Sequence, residues 1–274
     1  MGLSSAVDDA ASLLDEYLVF ALAVCRESGE ILVTERARGG MKVDRKAGFE
    51  LVTSVDLAVH QHFEARIRKA WPDVLLVSEE GAHGADVGEK PHWIVDPIDG
   101  TANFVHGLDH VAISAALSIG GQVVVGVVHA PFQKQTFWAI RGRGAYRDGE
   151  RIEVDPNPDP ARALIATGFP HERGEIDQIV DRLKAVLRHF GDIRRLAAPA
   201  LDICWVADGR LTAFFDRIHL WDVAAAGLIA SEAGAQVGTV GNADTGSSAK
   251  DYLVAPPFHF GKLQRLLETE TGAE

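Results

Sequence analysis

Cysteine is nearly absent: the 274 residues hold two, Cys25 and Cys204, far apart and each in apolar company. They read as buried, reduced thiols, which suggests a reducing compartment. Long hydrophobic runs are missing too, with nothing near the roughly 18 consecutive apolar residues of a membrane span. The first residues, with Asp8, Asp9, Asp15 and Glu16, lack the basic start of a secretory signal. The expectation is a cytoplasmic protein with no membrane partner. Positive charge is scarce: 27 Lys and Arg stand against 39 Asp and Glu, a formal net charge of −12. A surface that negative repels phosphate backbones at long range, so no nucleic-acid partner is expected. A small anionic substrate stays open, because a bound cation can invert the sign of one pocket. What is present in quantity is apolar material, 47% of residues against 24% charged, enough for a sizeable core and unlike a disordered chain.

Internal repeats, low-complexity tracts and charge blocks do not occur. Leu13, Leu14, Tyr17, Leu18, Ala21, Leu22, Cys25, Ile31 and Leu32 recur at helical spacing and predict a long opening helix. Residues 39–50 are polar and glycine-bearing, a loop or hairpin. A second helix is expected over 56–70, with Ser54 or Asp56 as cap, ending at Trp71-Pro72. Apolar runs at 74–77, 93–95, 111–119, 123–129 and 136–140 predict strands, and Asp148-Gly149 a hairpin turn. The stretch Asp155-Pro-Asn-Pro-Asp-Pro160 can hold neither helix nor ladder. Beyond it, strands are expected at 164–167, 193–196, 211–215 and 252–255, and helices at 175–190, 199–208, 222–233 and 258–268. Helices alternating with sheet argue a layered α/β or α+β sandwich. The expected organisation is one domain, 1–274, in two lobes of about 1–157 and 158–274.

The chemistry concentrates in Trp93-Ile-Val-Asp-Pro-Ile-Asp-Gly-Thr-Ala-Asn-Phe-Val-His-Gly107. An apolar strand delivers Asp96, Pro97 interrupts it, and Asp99 follows with Gly100-Thr101. Carboxylates at i and i+3 around a tight turn can converge on one point, where they would repel and one would take up a proton. A hard divalent cation removes that conflict, and Mg²⁺ favours a few carboxylates, retained waters and substrate phosphate oxygens. Taken alone, the pattern serves equally as a turn capping the next helix. Further acids stand at comparable places: Glu79 and Glu80 after the strand that ends at Ser78, Asp222 in His219-Leu-Trp-Asp222 at the start of an alanine-rich helix, and Asp56 after Leu51-Val-Thr-Ser-Val. Strand ends and helix starts are where α/β sites are built, and also where caps sit.

On these residues the chain resembles the Mg²⁺-dependent, lithium-sensitive inositol monophosphatases. The 93–106 stretch matches the family's first signature, and Trp221-Asp-Val-Ala-Ala-Ala-Gly-Leu-Ile-Ala-Ser-Glu-Ala-Gly234 its second. The Leu-Val-Thr-x-x-Asp and Glu-Glu elements fall in the same order, and Ala166-Thr-Gly-Phe-Pro170 is similar to bacterial members. The resemblance spans roughly residues 10–270 and implies a five-layered αβαβα sandwich of the inositol monophosphatase and fructose-1,6-bisphosphatase type. It implies that Glu79, Asp96 and the Ile98 carbonyl hold one Mg²⁺, and that Asp96, Asp99 and Asp222 hold a second. Glu79 would contribute through waters to a third. Asp56 and Thr101 would orient and deprotonate the attacking water, with Glu79 counted in the catalytic set. The amides of Gly100 and Thr101 would bind phosphate oxygens, as a helix N-terminus favours in any case. Asp99 and Asp222 would also face the substrate, and Asp222 would order a polyol hydroxyl. The implied partner is a small phosphorylated polyol or alcohol, and the implied assembly a homodimer.

Mechanistically the set is coherent, because cations neutralise phosphate charge and activate water, while a Thr hydroxyl bonded to a carboxylate can steer that water in line. No Asp-x-Asp-x-Thr phosphoenzyme pattern occurs, so direct attack by water is expected. The leading substrate is myo-inositol 1-phosphate. Histidinol phosphate is the runner-up, with fructose 1,6-bisphosphate and adenosine 3′,5′-bisphosphate served by the same scaffold. A regulatory member that keeps the fold and binds a protein partner is the alternative from another class, disfavoured by the presence of Asp56, Glu79, Asp96, Asp99 and Asp222.

Three departures bear on the substrate. Where the family carries a Gly-Ser/Thr-Ala-Ala run, this chain has Leu196-Ala-Ala-Pro-Ala-Leu-Asp202, losing a hydroxyl and gaining a helix-starting Pro199. Before Trp221-Asp222, Asp216 stands for a substrate-binding Glu in a segment one residue shorter. The upstream lysine is Lys46, or Arg45 under another gap placement. Among the remaining polar and aromatic residues, His60 and His62 are expected at the surface, and His83 and His92 on a solvated loop. His106 and His110 belong to the structure around the 101 helix. Trp71 and Trp138 are expected in packing and Trp221 under the 222 helix, while residues 141–149 form a hairpin.

Overall fold

The computed structural model describes residues 2–46, 50–81, 89–169, 176–241 and 249–269. Helix α1 (Gly2–Arg38) is longer than its apolar stripe suggests. It buries Tyr17, Leu18, Ala21, Val24, Cys25 and Leu32 at helical spacing. Arg36 and Arg38 complement the dipole at its end, and Gly39 and Gly40 at positive φ stop it. The 39–50 segment is a hairpin: β1 (Val43–Arg45) pairs antiparallel with β2 (Leu51–Thr53). Helix α2 (Ser54–Ala70) follows. Its cap is Thr53, not Ser54 or Asp56: the Thr53 hydroxyl accepts the Val55 and Asp56 amides, and Asp56 accepts the Thr53 N–H. A capping box satisfies two orphan donors at once, which Ser54 could not do from one residue later.

A seven-stranded sheet carries β3 (Leu75–Ser78), β4 (His92–Asp99), β5 (Ala112–Ile119), β6 (Gln122–Ala130), β7 (Gln135–Ile140), β8 (Ala145–Arg147) and β9 (Glu150–Ile152) in chain order. Only the β3–β4 pair is parallel. Asp148 and Gly149, both at positive φ, make the expected turn between β8 and β9. A five-stranded sheet takes the order β11 (Asp192–Arg194), β10 (Leu164–Thr167), β12 (Ala213–Ile218), β14 (Lys250–Ala255), β13 (Gln236–Thr239). The 236–239 strand has no expectation from the sequence.

The alternation of side chains across the strands makes the layers. Trp93, Val95, Leu117 and Val127 face α1 and α2 in one core, where Trp71 joins Tyr17, Phe20 and Trp93. Ile94, Ala116, Val128 and Phe137 face the opposite way, onto α5 (Pro199–Ala207) and α6 (Leu220–Glu232). Phe214 and Val254 of the second sheet close that middle core from the far side. Their neighbours Phe215 and Leu253 face α4 (Ile176–Leu187) and α7 (Pro257–Thr269). The result is an αβαβα sandwich. Both sheets are covered on both faces, which is why their strands read as continuous apolar runs. Helix α6 lies very close to the first sheet: a Cβ on Gly126 would stand 2.8 Å from the Ala225 carbonyl oxygen. Among the described residues, no helix is long and apolar enough to cross a membrane. Both cysteines are free and buried.

Candidate active site

Parallel pairing of β3 with β4 sets Ser78 opposite Val95, and the Glu79 N–H donates to the Val95 carbonyl at 3.2 Å. Glu79 and Asp96 therefore leave the carboxyl ends of adjacent strands side by side, the usual place for a site in such sheets. Pro97 cannot donate to the ladder, and the β4–β5 register shifts between Asp96 and Asp99. The chain then turns through Gly100 at φ +91 into α3 (Thr101–Val105). No side chain fits at Gly100, since a Cβ there would meet the His110 and Ala197 carbonyls at 3.0 and 3.1 Å.

This geometry brings Asp96 and Asp99 together with Asp222 from the first turn of α6. One oxygen from each carboxylate lies within 4.8 Å of the others. Each acid is also anchored: Asp96 Oδ1 accepts the Ile98 N–H (3.0 Å), Asp99 Oδ2 that of Leu201 (3.0 Å) and Asp222 Oδ2 that of His219 (2.7 Å). The second oxygen of Asp99 is buried with no partner among the described residues. Burial, then the charge of Glu79, holds Asp96 well above the carboxylate range, and burial with Asp222 does the same to Asp99. Asp222 is pushed up to about 8 by burial and Glu79. Crowded buried acids with an orphan oxygen form a donor set that a hard divalent cation satisfies.

Glu79 lies outside that triad. Its carboxylate accepts Lys46 Nζ at 2.7 Å, and Glu80 takes the same ammonium at 2.5 Å. Of the two basic residues weighed upstream, Lys46 is the one that reaches the acids; Arg45 is exposed. The Ile98 carbonyl accepts the Thr101 hydroxyl at 3.0 Å, and Asp56 Oδ1 lies 3.4 Å from the same hydroxyl. Asp56 thus splits its two oxygens: Oδ2 belongs to the Thr53 cap, at 2.6–2.7 Å, and Oδ1 faces Thr101. Burial pushes it up to about 7.

Asp216 sits on β12 with Oδ1 accepting the Arg217 N–H at 2.8 Å. Its Oδ2 packs on Gly168, where a Cβ would stand 1.8 Å away. Burial pushes this acid up to about 7 as well, and its charge adds to the rise at Asp222.

The contacts that hold this region together join residues far apart in the chain. Asn103 donates to the carbonyls of His110 and Leu196, and His110 Nε2 lies 2.7 Å from buried Asp202 on α5. Ala197 stands at φ +67, and Ala198 caps α5 without a side-chain acceptor. Residues so distant in sequence carry no shared pattern that would have announced these pairs. His106 ends α3, His92 binds the Lys90 carbonyl, and Trp221 stacks on His219. His62 is not a free surface residue but pairs with Glu27 at 2.9 Å, and His60 packs against Gly81. His83 lies outside the described residues. Two cavities, of about 270 Å³ beside Arg162 and Arg210 and about 620 Å³ beside Arg26, His129 and Lys134, contain none of these carboxylates.

The model of the inositol monophosphatase family matches residues 13–270. The chain is 36% identical over 227 residues to the Nus factor SuhB of Pseudomonas aeruginosa, covering 80% of this chain and 84% of that one. It is 31% identical over 260 residues to an inositol monophosphatase of Dictyostelium discoideum, with 93% and 96% covered. The structure of an IMPase from Thermotoga maritima superposes with a TM-score of 0.83 at 32% identity, covering 93% of this chain and 98% of that one.

Proposed function

The chain belongs to the inositol monophosphatase family, and on that premise we propose that it is a Mg²⁺-dependent phosphomonoesterase of a small polyol phosphate, foremost myo-inositol 1-phosphate. The observation that carries the reading is the convergence of Asp96, Asp99 and Asp222, one of whose oxygens, Asp99 Oδ1, is buried with no partner among the described residues. The donor set fits Mg²⁺. Glu79, Asp96 and the Ile98 carbonyl would hold one ion, Asp96, Asp99 and Asp222 a second, and Glu79 a third through waters. When bound, Mg²⁺ neutralises phosphate charge and activates the attacking water.

The protein's own groups do the rest. Asp56 draws the Thr101 hydroxyl proton toward itself, so that the Thr101 oxygen can accept from a water and aim it at phosphorus. Asp56 then holds the proton. The Gly100 and Thr101 amides bind phosphate oxygens, while Asp222 and Asp216 accept hydrogen bonds from hydroxyls of the departing alcohol. Attack is direct, with no covalent intermediate.

A phosphate-release screen over inositol 1-phosphate, histidinol phosphate, fructose 1,6-bisphosphate and adenosine 3′,5′-bisphosphate tests this. The expected result is Mg²⁺-dependent release, fastest with inositol 1-phosphate. A faster rate with another ester moves the substrate, and no release from any of them sinks the phosphatase reading. The acidic surface supports a small-molecule partner over nucleic acid. The Nus factor name of the Pseudomonas relative supports a second reading, a regulatory member that binds another macromolecule. The two separate genetically: a regulatory role survives Asp96→Asn, and a phosphatase role does not. The family resemblance further supports a cytoplasmic homodimer, its mass measurable by analytical ultracentrifugation.

A further inference from the structure

Strands β12 and β14 pair antiparallel with Asp216 directly opposite Tyr252. Directly opposed residues share a face of the sheet. Which face is settled two residues away, where the opposed pair Phe214 and Val254 lies in the middle core and Phe215 and Leu253 lie in the outer one. Asp216 and Tyr252 therefore face inward, toward the layer that carries α6 and Asp222. The Tyr252 ring packs against that middle core. Its phenol makes no hydrogen bond among the described residues. Burial and then the charge of Asp222 raise the phenol above its ordinary pKa, which puts the two groups within electrostatic reach.

We propose that Tyr252 is a specificity-determining residue whose phenol donates to a hydroxyl of the substrate's alcohol part, beside the hydroxyl contacts of Asp216 and Asp222. This rests on the phosphatase reading and names a residue in it that no sequence pattern marked. The chemistry is complementary. An ionised Asp216 only accepts, so it reads the hydrogen of a substrate O–H. A phenol can donate to the oxygen of that hydroxyl or of its neighbour. Together they suit a polyol with adjacent hydroxyls and leave buried polar groups unsatisfied by an ester that has none, which is how hydrogen-bonding sites discriminate.

Tyr252→Phe removes one oxygen and keeps the packing ring. Steady-state kinetics with Mg²⁺ should show KM for inositol 1-phosphate raised about three- to tenfold. The kcat should stay within about twofold, and phenyl phosphate, which has no hydroxyl, should be unaffected. Calorimetric binding of inositol 1-phosphate with Ca²⁺ in place of Mg²⁺ should weaken by the same factor, a readout independent of turnover. Unchanged KM and affinity, or an equal change with phenyl phosphate, overturns the proposal. If the wild type binds inositol 1-phosphate but releases phosphate from none of the four esters, the phosphatase reading falls, and weaker binding by Tyr252→Phe still supports Tyr252. No binding of inositol 1-phosphate by the wild type overturns the Tyr252 proposal and leaves the phosphatase reading to the four-ester screen.

Discussion

Asp99 and Leu201 stand 102 positions apart, and the Oδ2 of the first accepts the backbone N–H of the second at 3.0 Å. Leu201 lies in the first turn of α5, whose own cap position, Ala198, offers no acceptor. An acid of the carboxylate cluster thus does the work of a helix cap for another element, in the very run where this chain departs from the family pattern. Asp99→Asn keeps an acceptor there and Asp99→Ala does not, while both remove the charge. Without metal, the Ala variant should be less stable than the Asn variant by about 1 kcal/mol in urea titration, and both should be inactive. Equal stability would show that the contact caps nothing.

The Asp56–Thr101 pair should act as a unit. Thr101→Ala is expected to lower kcat by about 100-fold or more with little change in Mg²⁺ half-saturation, and Asp56→Asn to do the same. The double variant should be scarcely worse than either, since residues acting together are not additive. Fully additive losses in a kinetic double-mutant cycle would mean that the 3.4 Å approach of the two groups has no role in catalysis.

Metal and pH should be linked through the buried acids. Asp96, Asp99 and Asp222 bind protons more tightly folded than unfolded, where an aspartate titrates near 3.8. The native state then carries more protons than the unfolded one across the window from about 4 to about 8. In EDTA, unfolding free energy should therefore fall as pH rises through that window. Mg²⁺ should restore it, and restore more at pH 8 than at pH 5, where protons compete for the same oxygens. Asp96→Asn should raise the metal-free Tm at pH 8 while abolishing turnover. Differential scanning calorimetry at several pH values decides; a metal-free Tm that climbs from pH 5 to pH 8 would contradict the assignment.

Ala197 occupies left-handed backbone at φ +67, a conformation that burdens any residue with a Cβ. Ala197→Gly should stabilise the chain by about 0.5–1 kcal/mol, the relieved strain exceeding the entropy that glycine adds to the unfolded state. Chemical denaturation would show it, with KM for inositol 1-phosphate unchanged.

Lithium tests the second cation position. Li⁺ is close to Mg²⁺ in size with half its charge, so beside Asp96, Asp99 and Asp222 it should inhibit uncompetitively with substrate and yield to excess Mg²⁺. K⁺ at equal ionic strength should do far less, which separates occupancy from screening. Identical effects of the two ions would remove the two-ion reading.

Much of this was legible because local chemistry and tertiary role coincide. Pro97 lacks a ladder donor and interrupts the pairing of β4 between Asp96 and Asp99, and Asp222 opens a helix whose alanines can only be buried. The 236–239 strand was not legible, since Gln236-Val-Gly-Thr239 has too few apolar residues to show a period and takes its partner, β14, from later in the chain. Thr53 is masked as a cap by Ser54 and Asp56, which are cap residues in their own right, and only the doubled hydrogen bonding with Asp56 decides among them. The Asp99–Leu201, Asn103–Leu196 and His110–Asp202 contacts depend on the folding of two sheets around one helical layer, which no window of sequence contains.

Helix α6 rests on Gly126 with no room for a methyl group, and that helix carries Asp222. A residue with no reactive group, on the inner face of a strand, thus sets how far one acid of the cluster stands from the other two. In a survey of inactivating mutations, substitutions at Gly126 would score alongside those of the acids themselves, although the glycine never meets the substrate. The geometry of this centre is inherited partly through the thickness of the layer beneath it.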